Sequence, residues 1–359
     1  MKILDIQTQT VSIPLKQTFK TALRTVDCIE NVCIRIKTDT DHEGYGGAAP
    51  TAVITGETTA SITGAVAHIA EQLRGEEIEN LETVLGKLNA CIIGNGSAKA
   101  AVDMALYDLY GKRFNMPVYR LLGGPSSQLT TDMTICIDTL EKMSADAKVA
   151  VENGFDTLKI KVGNDPDLDF RRLQTIRGAT GPSVKLRIDA NQGWRPKEAV
   201  LVMERLSKAN IEIELLEQPV FAKDFQGMKF VRDRVSVPVV ADESVCSPQD
   251  ALQILEMRAV DGINIKLMKC GGIYNALKIA AITESAGGIC MIGSMMESAV
   301  SVAAAVHLAK AKPGISRYDL DAPLFCSEDP SGGSLKYQGP GLDVRELPGL
   351  GIEPMTVFS

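Results

Sequence analysis

The stretch TLKIKVG, Thr157 to Gly163, places Lys159 and Lys161 on one face of what otherwise reads as a buried β-strand. Side chains alternate along a strand, so the two ammonium groups point together, away from Leu158, Ile160 and Val162. Like charges repel. A lysine stripped of water, or set beside further positive charge, holds its proton less tightly and can act as a base near neutral pH. Three acids close other strand-like runs: Asp189 ends VKLRID, Glu217 ends IEIELLE and Asp242 ends VPVVAD. Brought together, three carboxylates call for a cation, and an all-oxygen set with few ligands suits Mg²⁺. Zinc is disfavoured, because His42, His68 and His307 are dispersed and none ends such a run. A further lysine, Lys266 in GINIKLMKCGG, shares the parity of Asn264 and Met268 against Ile263, Ile265 and Leu267. Lys269 has the other parity, or already lies in the following loop, and reads as a surface residue.

These residues need a frame that brings strand ends to one place. From about residue 130, short apolar runs alternate with amphipathic segments: DMTICI, TLKIKV, VKLRID, IEIELLE, VPVVAD, GINIKLM, GICMIG and ISRYDL. Eight βα repeats at intervals of roughly 25 residues predict an α/β fold of the (β/α)8 barrel type. An open doubly wound sheet lacks its GxGxxG signature here. In a barrel the active site lies at the carboxyl ends of the strands. The three acids then fall on the third, fourth and fifth strands, while Lys161 on the second and Lys266 on the sixth face each other across the mouth.

Ahead of the barrel, residues 1 to about 55 read as a β-meander running into a Gly-rich turn at GYGGAAP. Helical segments follow over about 57–74, 78–90 and 97–113, the last with Ser97 available as N-cap. The expected division is an α+β unit over 1–125 and a barrel over 126–324, with a Gly- and Pro-rich tail from about 325 to 359 folding back on the first unit.

Composition bounds the partners. The 359 residues carry a formal charge of −7 and are 45% hydrophobic, enough for a sizeable core. No basic field attracts nucleic acid or anionic membrane, so a small molecule is the expected partner. The eight cysteines lack any CxxC pair and lie mostly in apolar runs, as buried thiols of a reducing compartment do. With no apolar signal core and no run of membrane-spanning length, a cytoplasmic location is expected. Assembly into a homo-oligomer is left open.

Two further stretches could contribute. In RYDLDAP, Asp319 and Asp321 stand at i and i+2, and their paired charge suits an ammonium group. GSMMES, Gly293 to Ser298, leads into a helix whose free N–H groups could hold a carboxylate or enolate oxygen. Plainer roles exist for each residue alone: strand-end acids cap helices, inward lysines pair with acids, and small-residue loops begin many helices. Three acids in register and three lysines in one mouth are poorly explained that way.

Taken together, AKAAVDMALYDLYGK, TLKIKVG, DANQGW, EQP, ADES, NIKLMKCGG and GSMMES resemble the enolase superfamily, in its muconate-lactonizing subgroup, over nearly the whole chain. Within it, the Asp-x-Asp of RYDLDAP resembles that of the dipeptide epimerases. The resemblance implies an isomerase with an enolase-like modified barrel and an α+β capping domain. It implies Mg²⁺ on Asp189, Glu217 and Asp242, with Lys161 and Lys266 as the two acid/base groups. Lys159 would contact the substrate carboxylate and depress the pKa of Lys161, Asp319 and Asp321 would bind the α-ammonium of a dipeptide, and Thr134, Ser294, Met295 and Met296 would line the substrate. Arg24 would meet a γ-carboxylate, although Phe19, Ile54 and Met296 could equally form an apolar pocket for a hydrophobic second residue. N-acylamino acid racemisation, o-succinylbenzoate synthesis and muconate cycloisomerisation use the same chemistry. GYGGAAP departs from relatives that often carry an acid after GxG. Two rivals are a non-catalytic dipeptide-binding protein and a Schiff-base lyase.

Overall fold

The computed structural model describes residues 1–125 and 127–358. Strands β1 (Ile3–Lys20), β2 (Thr25–Thr38) and β3 (Glu43–Ala48) form an antiparallel sheet in that order. GYGGA is thus a strand rather than the expected turn. Its small residues let the backbone lie on a helix, for a Cβ at Gly46 would come within 2.0 Å of the Ala101 carbonyl oxygen.

Three helices follow close to their expected limits: α1 (Thr59–Leu73), α2 (Leu81–Ala90) and α3 (Gly96–Arg113). Ser97 is not the N-cap of α3. Asn95 takes that position in a left-handed conformation, and the Glu57 carboxylate accepts the N–H groups of Ser97 and Ala98 at 2.9 and 3.3 Å. The alanine-rich α3 is buried on nearly every side because it packs both on β3 and on the barrel.

After α4 (Val118–Leu121) and the two-residue β4 (Leu129–Thr130), the barrel runs as β5 (Met133–Ile135), α5 (Leu140–Glu152), β6 (Thr157–Lys161), α6 (Pro166–Thr180), β7 (Lys185–Asp189), α7 (Pro196–Lys208), β8 (Leu215–Glu217), α8 (Phe225–Arg232), β9 (Val239–Ala241), α9 (Pro248–Glu256), β10 (Gly262–Ile265), α10 (Leu267–Cys270), α11 (Ile273–Ser285), β11 (Ile289–Gly293), α12 (Ala299–Ala311) and β12 (Ile315–Asp319). Strands β5 to β12 make one parallel eight-stranded sheet in sequence order. The fold is the expected barrel, with shorter strands: IEIELLE contributes only its last three residues. At the seam between β5 and β12, no ladder forms among the described residues. Single bonds join the edges instead, from Asp132 N–H to the Tyr318 carbonyl, from Leu320 N–H to the Thr131 hydroxyl and from Thr134 N–H to Asp321.

Parity decides what each strand delivers to the mouth. Leu215, Val240 and Met291 form a small buried cluster apart from the main core. They plug the barrel interior, so Glu217 and Asp242, two residues farther on, also point inward. The chain closes with α13 (Ala322–Phe325) and the hairpin β13 (Leu335–Gln338) and β14 (Gly341–Val344), which pairs with β4. Beyond the hairpin, Leu350 N–H reaches Asp108 of α3, and Phe358 lies against Tyr45 and Arg35 of the first sheet. No helix among the described residues is long and apolar enough to cross a membrane.

Candidate active site

Lys161, Asp189 and Glu217 are the last residues of three adjacent strands and stand in register, so their side chains enter the mouth at one level. Asp242 follows β9 directly. Carboxylate oxygens of Asp189, Glu217 and Asp242, all buried, come within 4.8 Å of one another. Asn264 supports the set from β10, its amide donating to Glu217 Oε1 at 2.9 Å.

The lysines interleave with these acids. Lys159 Nζ lies 3.1 Å from Asp189, 2.9 Å from Glu217 and 2.6 Å from Asp319. Lys161 Nζ lies 2.7 Å from Asp189 Oδ2 on one wall, and Lys266 Nζ lies 2.8 Å from Asp242 Oδ2 on the opposite wall, four strands away. Lys269 is not a surface residue. It is buried with its ammonium 2.7 Å from Asp242 Oδ1, and it also donates to the Asp242 carbonyl. Strand parity does not govern it, because β10 ends at Ile265 and the one-turn helix α10 swings Lys269 back beneath the strand ends.

The turn after Lys269 is set from the other side of the molecule. Asp103 of α3 accepts the N–H groups of Ile273 and Tyr274 that open α11, at 2.6 and 3.2 Å. Gly272, at φ 107°, lies so close that a Cβ would come within 2.3 Å of the Asp103 carboxyl carbon. This places the AKAAVDMALYDLYGK helix directly behind the segment that carries Lys266 and Lys269.

The protons of Lys159 and Lys266 are held more tightly than in a free lysine. Burial alone would lower Lys159, but Asp189, Asp319, Glu217 and Asp242 override it and raise its pKa well above the usual lysine range. Lys266 is likewise raised, burial being outweighed chiefly by Asp242. Among the acids, burial and repulsion by Asp189 hold Glu217 up at about 7, whereas for Asp189 the attraction of Lys159 and Lys161 outweighs burial and takes it down to about 2. Glu217 Oε2 and Asp242 Oδ1 are buried without an aligned hydrogen bond, as are Oδ1 of Asn191 and Oδ1 of Asn264 nearby. Three convergent buried carboxylates, one of them held up by its neighbours, form an all-oxygen donor set that fits a small hard cation.

Above this floor is a chamber with about 40 Å³ of free space, lined by Phe19 at the end of β1, by Thr21, Leu23 and Arg24 from the β1–β2 turn, by Ile54, by the barrel residues Thr134, Lys161, Asn191, Lys266, Ser294, Met295, Met296, Asp319 and Asp321, and by Ala322 just beyond the barrel. Small-ligand pockets begin at roughly 300 Å³, so the chamber as it stands is tight for a ligand. The Thr21 hydroxyl orders that turn by accepting the Leu23 and Arg24 N–H groups, and Lys20 carbonyl holds it to the barrel through Ile137 N–H. A larger recess of about 640 Å³ lies elsewhere, between α7 and the segment before β9, far from this chemistry.

Every residue anticipated for the site therefore lies in or beneath the chamber. Sequence reasoning gave no role to Asn191, Asn264, Asp132 or Arg187, though each shares i, i+2 parity with an anticipated residue: Asp189, Lys266, Thr134 and Asp189 respectively.

Residues 3–123 match the mandelate racemase / muconate lactonizing enzyme N-terminal domain, and residues 142–356 match the enolase C-terminal domain-like family. The chain belongs to the mandelate racemase/muconate lactonizing enzyme family of the enolase superfamily. It is 52% identical to an L-Ala-D/L-Glu epimerase of Clostridium acetobutylicum over 98% of this chain and 99% of that one. The substrate-liganded L-Ala-D/L-Glu epimerase of Bacillus subtilis superposes with a TM-score of 0.97 at 46% identity, covering 99% of this chain and 100% of the other. A dipeptide epimerase of Enterococcus faecalis, in complex with Mg and L-Leu-L-Tyr, gives 0.95 at 42% identity with the same coverage. The family's racemases and epimerases are isomerases, in keeping with the two facing lysines of this chain.

Proposed function

We propose that this protein is a dipeptide epimerase that inverts the α-carbon of the C-terminal residue, with residues 1–125 and the tail from about 325 acting as a cap on a catalytic barrel over 126–324. The observation that carries the reading is the pair Lys161 and Lys266 on opposite walls of one chamber, with three carboxylates between them and Asp319 and Asp321 to one side.

Lys161 approaches the α-carbon from one face and Lys266 from the other. One takes the proton; the other returns a proton to the opposite face, and the configuration inverts. Removing that proton places two negative charges on the enediolate of the substrate carboxylate, and the Lys159 ammonium, buried beneath the chamber among Asp189, Glu217 and Asp319, supplies positive charge against them. Asp189, Glu217 and Asp242 would hold Mg²⁺, which would supply positive charge against the enediolate; carboxylates engaged in that way would hold the Lys161 and Lys266 ammonium groups less tightly, leaving a lysine free to act as base. Asp319 and Asp321 receive the free α-ammonium of the dipeptide, a group that N-acylamino acids, o-succinylbenzoate precursors and muconate lack. Thr134, Ser294, Met295 and Met296 shape the walls.

Arg24 favours an acidic C-terminal residue. Its guanidinium lies in the chamber wall with its pKa lowered by burial, and among the described residues no carboxylate pairs with it. L-Ala-L-Glu is therefore the preferred substrate in this reading, with hydrophobic dipeptides second, served by Phe19, Ile54 and Met296. All eight cysteines are free thiols, which supports a cytoplasmic setting.

The deciding experiment incubates the protein with Mg²⁺ and L-Ala-L-Glu in D₂O, followed by a wider dipeptide set. Deuterium at the C-terminal α-carbon with formation of the epimer is the expected result. Binding without exchange would mark a non-catalytic protein, and full activity after metal removal, with borohydride trapping of a carbonyl substrate on lysine, would mark a Schiff-base enzyme.

A further inference from the structure

We infer that Asp132 is a positioning residue for the ammonium subsite, a third buried carboxylate that backs Asp319 and Asp321 and sets how strongly they attract a cationic substrate group. The inference rests on the dipeptide reading above.

Asp132 precedes β5, and Asp319 and Asp321 end and follow β12, so the three meet at the barrel seam. Their carboxylate oxygens come within 4.8 Å of one another, all buried. Asp319 and Asp321 line the chamber, whereas Asp132 stands behind them. Asp132 Oδ2 accepts a hydrogen bond from Arg187 Nη1 at 2.8 Å, but Oδ1 is buried and accepts nothing. That unpartnered oxygen separates this cluster from an ordinary buried ion pair.

The nearby cations are already committed. Arg187 also donates to Glu214 Oε2 at 2.6 Å and to the Tyr318 carbonyl at 3.1 Å. Lys159 meets Asp319 at 2.6 Å but is shared with Asp189 and Glu217. Burial and repulsion by Asp319 hold Asp132 well above the usual carboxylate range and Asp321 up at about 6, against the pull of Arg187 and Lys159, while Lys159, Lys161 and Lys266 keep Asp319 low. Negative charge on the cluster is therefore costly unless a further cation arrives. The open approach is from the chamber, past Asp319 and Asp321. An α-ammonium entering there completes the charge balance; a neutral amide does not. Asp132 thereby favours free-amine dipeptides over N-acylated amino acids without touching either.

The test compares wild type with Asp132→Asn, which removes the ionisable carboxyl while keeping a side-chain oxygen for Arg187. KM and kcat are measured for L-Ala-L-Glu and for N-acetyl-L-Ala-L-Glu. A KM increase of about tenfold for the free dipeptide is expected, with kcat changed less than about twofold and the KM of the acetylated compound unchanged or lower. An unchanged dipeptide KM, or an equal increase for both compounds, overturns the inference and leaves the dipeptide reading standing. If wild type turns over no dipeptide, the underlying reading fails and this inference with it. Should the Asn variant not fold, Asp132→Ser supplies the same comparison.

Discussion

Lys161 Nζ and Asp189 Oδ2 lie 2.7 Å apart at the ends of neighbouring strands β6 and β7, and the register of those strands makes the contact unavoidable. Lys266 holds Asp242 in the same manner across the barrel. Each ammonium thus faces the chamber on a carboxylate tether. Lys161→Ala and Lys266→Ala should each reduce epimerisation by at least about 10³-fold, within the range attributed to positioned acid–base groups. Each variant should still exchange the α-proton of one substrate epimer, which mass gain in D₂O reads separately for the L,L and L,D dipeptides. Normal turnover by either variant would remove the two-base assignment.

Chelation provides a test that does not depend on turnover. Glu217 is held up at about 7 by burial and by repulsion from Asp189, so a divalent ion among these carboxylates relieves an existing strain of charge. Saturating Mg²⁺ should raise the thermal midpoint of EDTA-treated protein, corresponding to about 2.7 kcal/mol at a hundred times the dissociation constant. Asp242→Asn should lose most of that shift. An identical shift in the variant would show that the ion binds elsewhere.

His307 sets an acid limit that lies outside the site. Burial takes the ring down to about 3, and its Nδ1 accepts the Tyr119 N–H at 3.1 Å. The unfolded chain titrates this group near 6.5. Between those values the unfolded state binds more protons, so the group's contribution is fully present above about pH 6.5 and is lost as pH falls toward about 3. Stability should decline by up to about 1.4 kcal/mol per pH unit from this source. In His307→Asn, whose oxygen can accept the same N–H, urea midpoints from pH 7 to 4.5 should fall less steeply than in wild type. Parallel declines would assign the acid limb to other groups.

The strand ends were the legible part of this protein. A lysine at i and i+2 in TLKIKVG, and an acid closing each of three successive apolar runs, are enough to predict an inward, charged layer, because parity in a barrel strand leaves only two directions. Lys269 escaped because the chain leaves β10 after Ile265 and coils, and alternation says nothing about a helical turn. Gly44 to Gly47 reads as a turn from composition alone, yet the bare backbone is what lets β3 press on α3. Asp132 lies in no pattern with Asp319 and Asp321 along the chain. Only closure of the seam brings the three together.

Arg24 should decide between acidic and apolar second residues. It sits in the turn over the chamber, whose lining also includes Phe19, Ile54 and Met296, so the same space can serve either chemistry. A guanidinium with no carboxylate of its own, partly stripped of water, gains most from a substrate carboxylate and disfavours an apolar side chain. In Arg24→Met, kcat/KM for L-Ala-L-Glu should fall by about 10–100-fold, the value of one charge-assisted contact. The value for L-Ala-L-Leu should stay the same or rise, because methionine extends the apolar wall. Lysine at this position should restore only part of the activity on the acidic dipeptide, having a point charge in place of a planar fork. Equal losses on both dipeptides would instead tie Arg24 to closure of the turn, and the preference for glutamate would then have to be sought among the other residues of the cap.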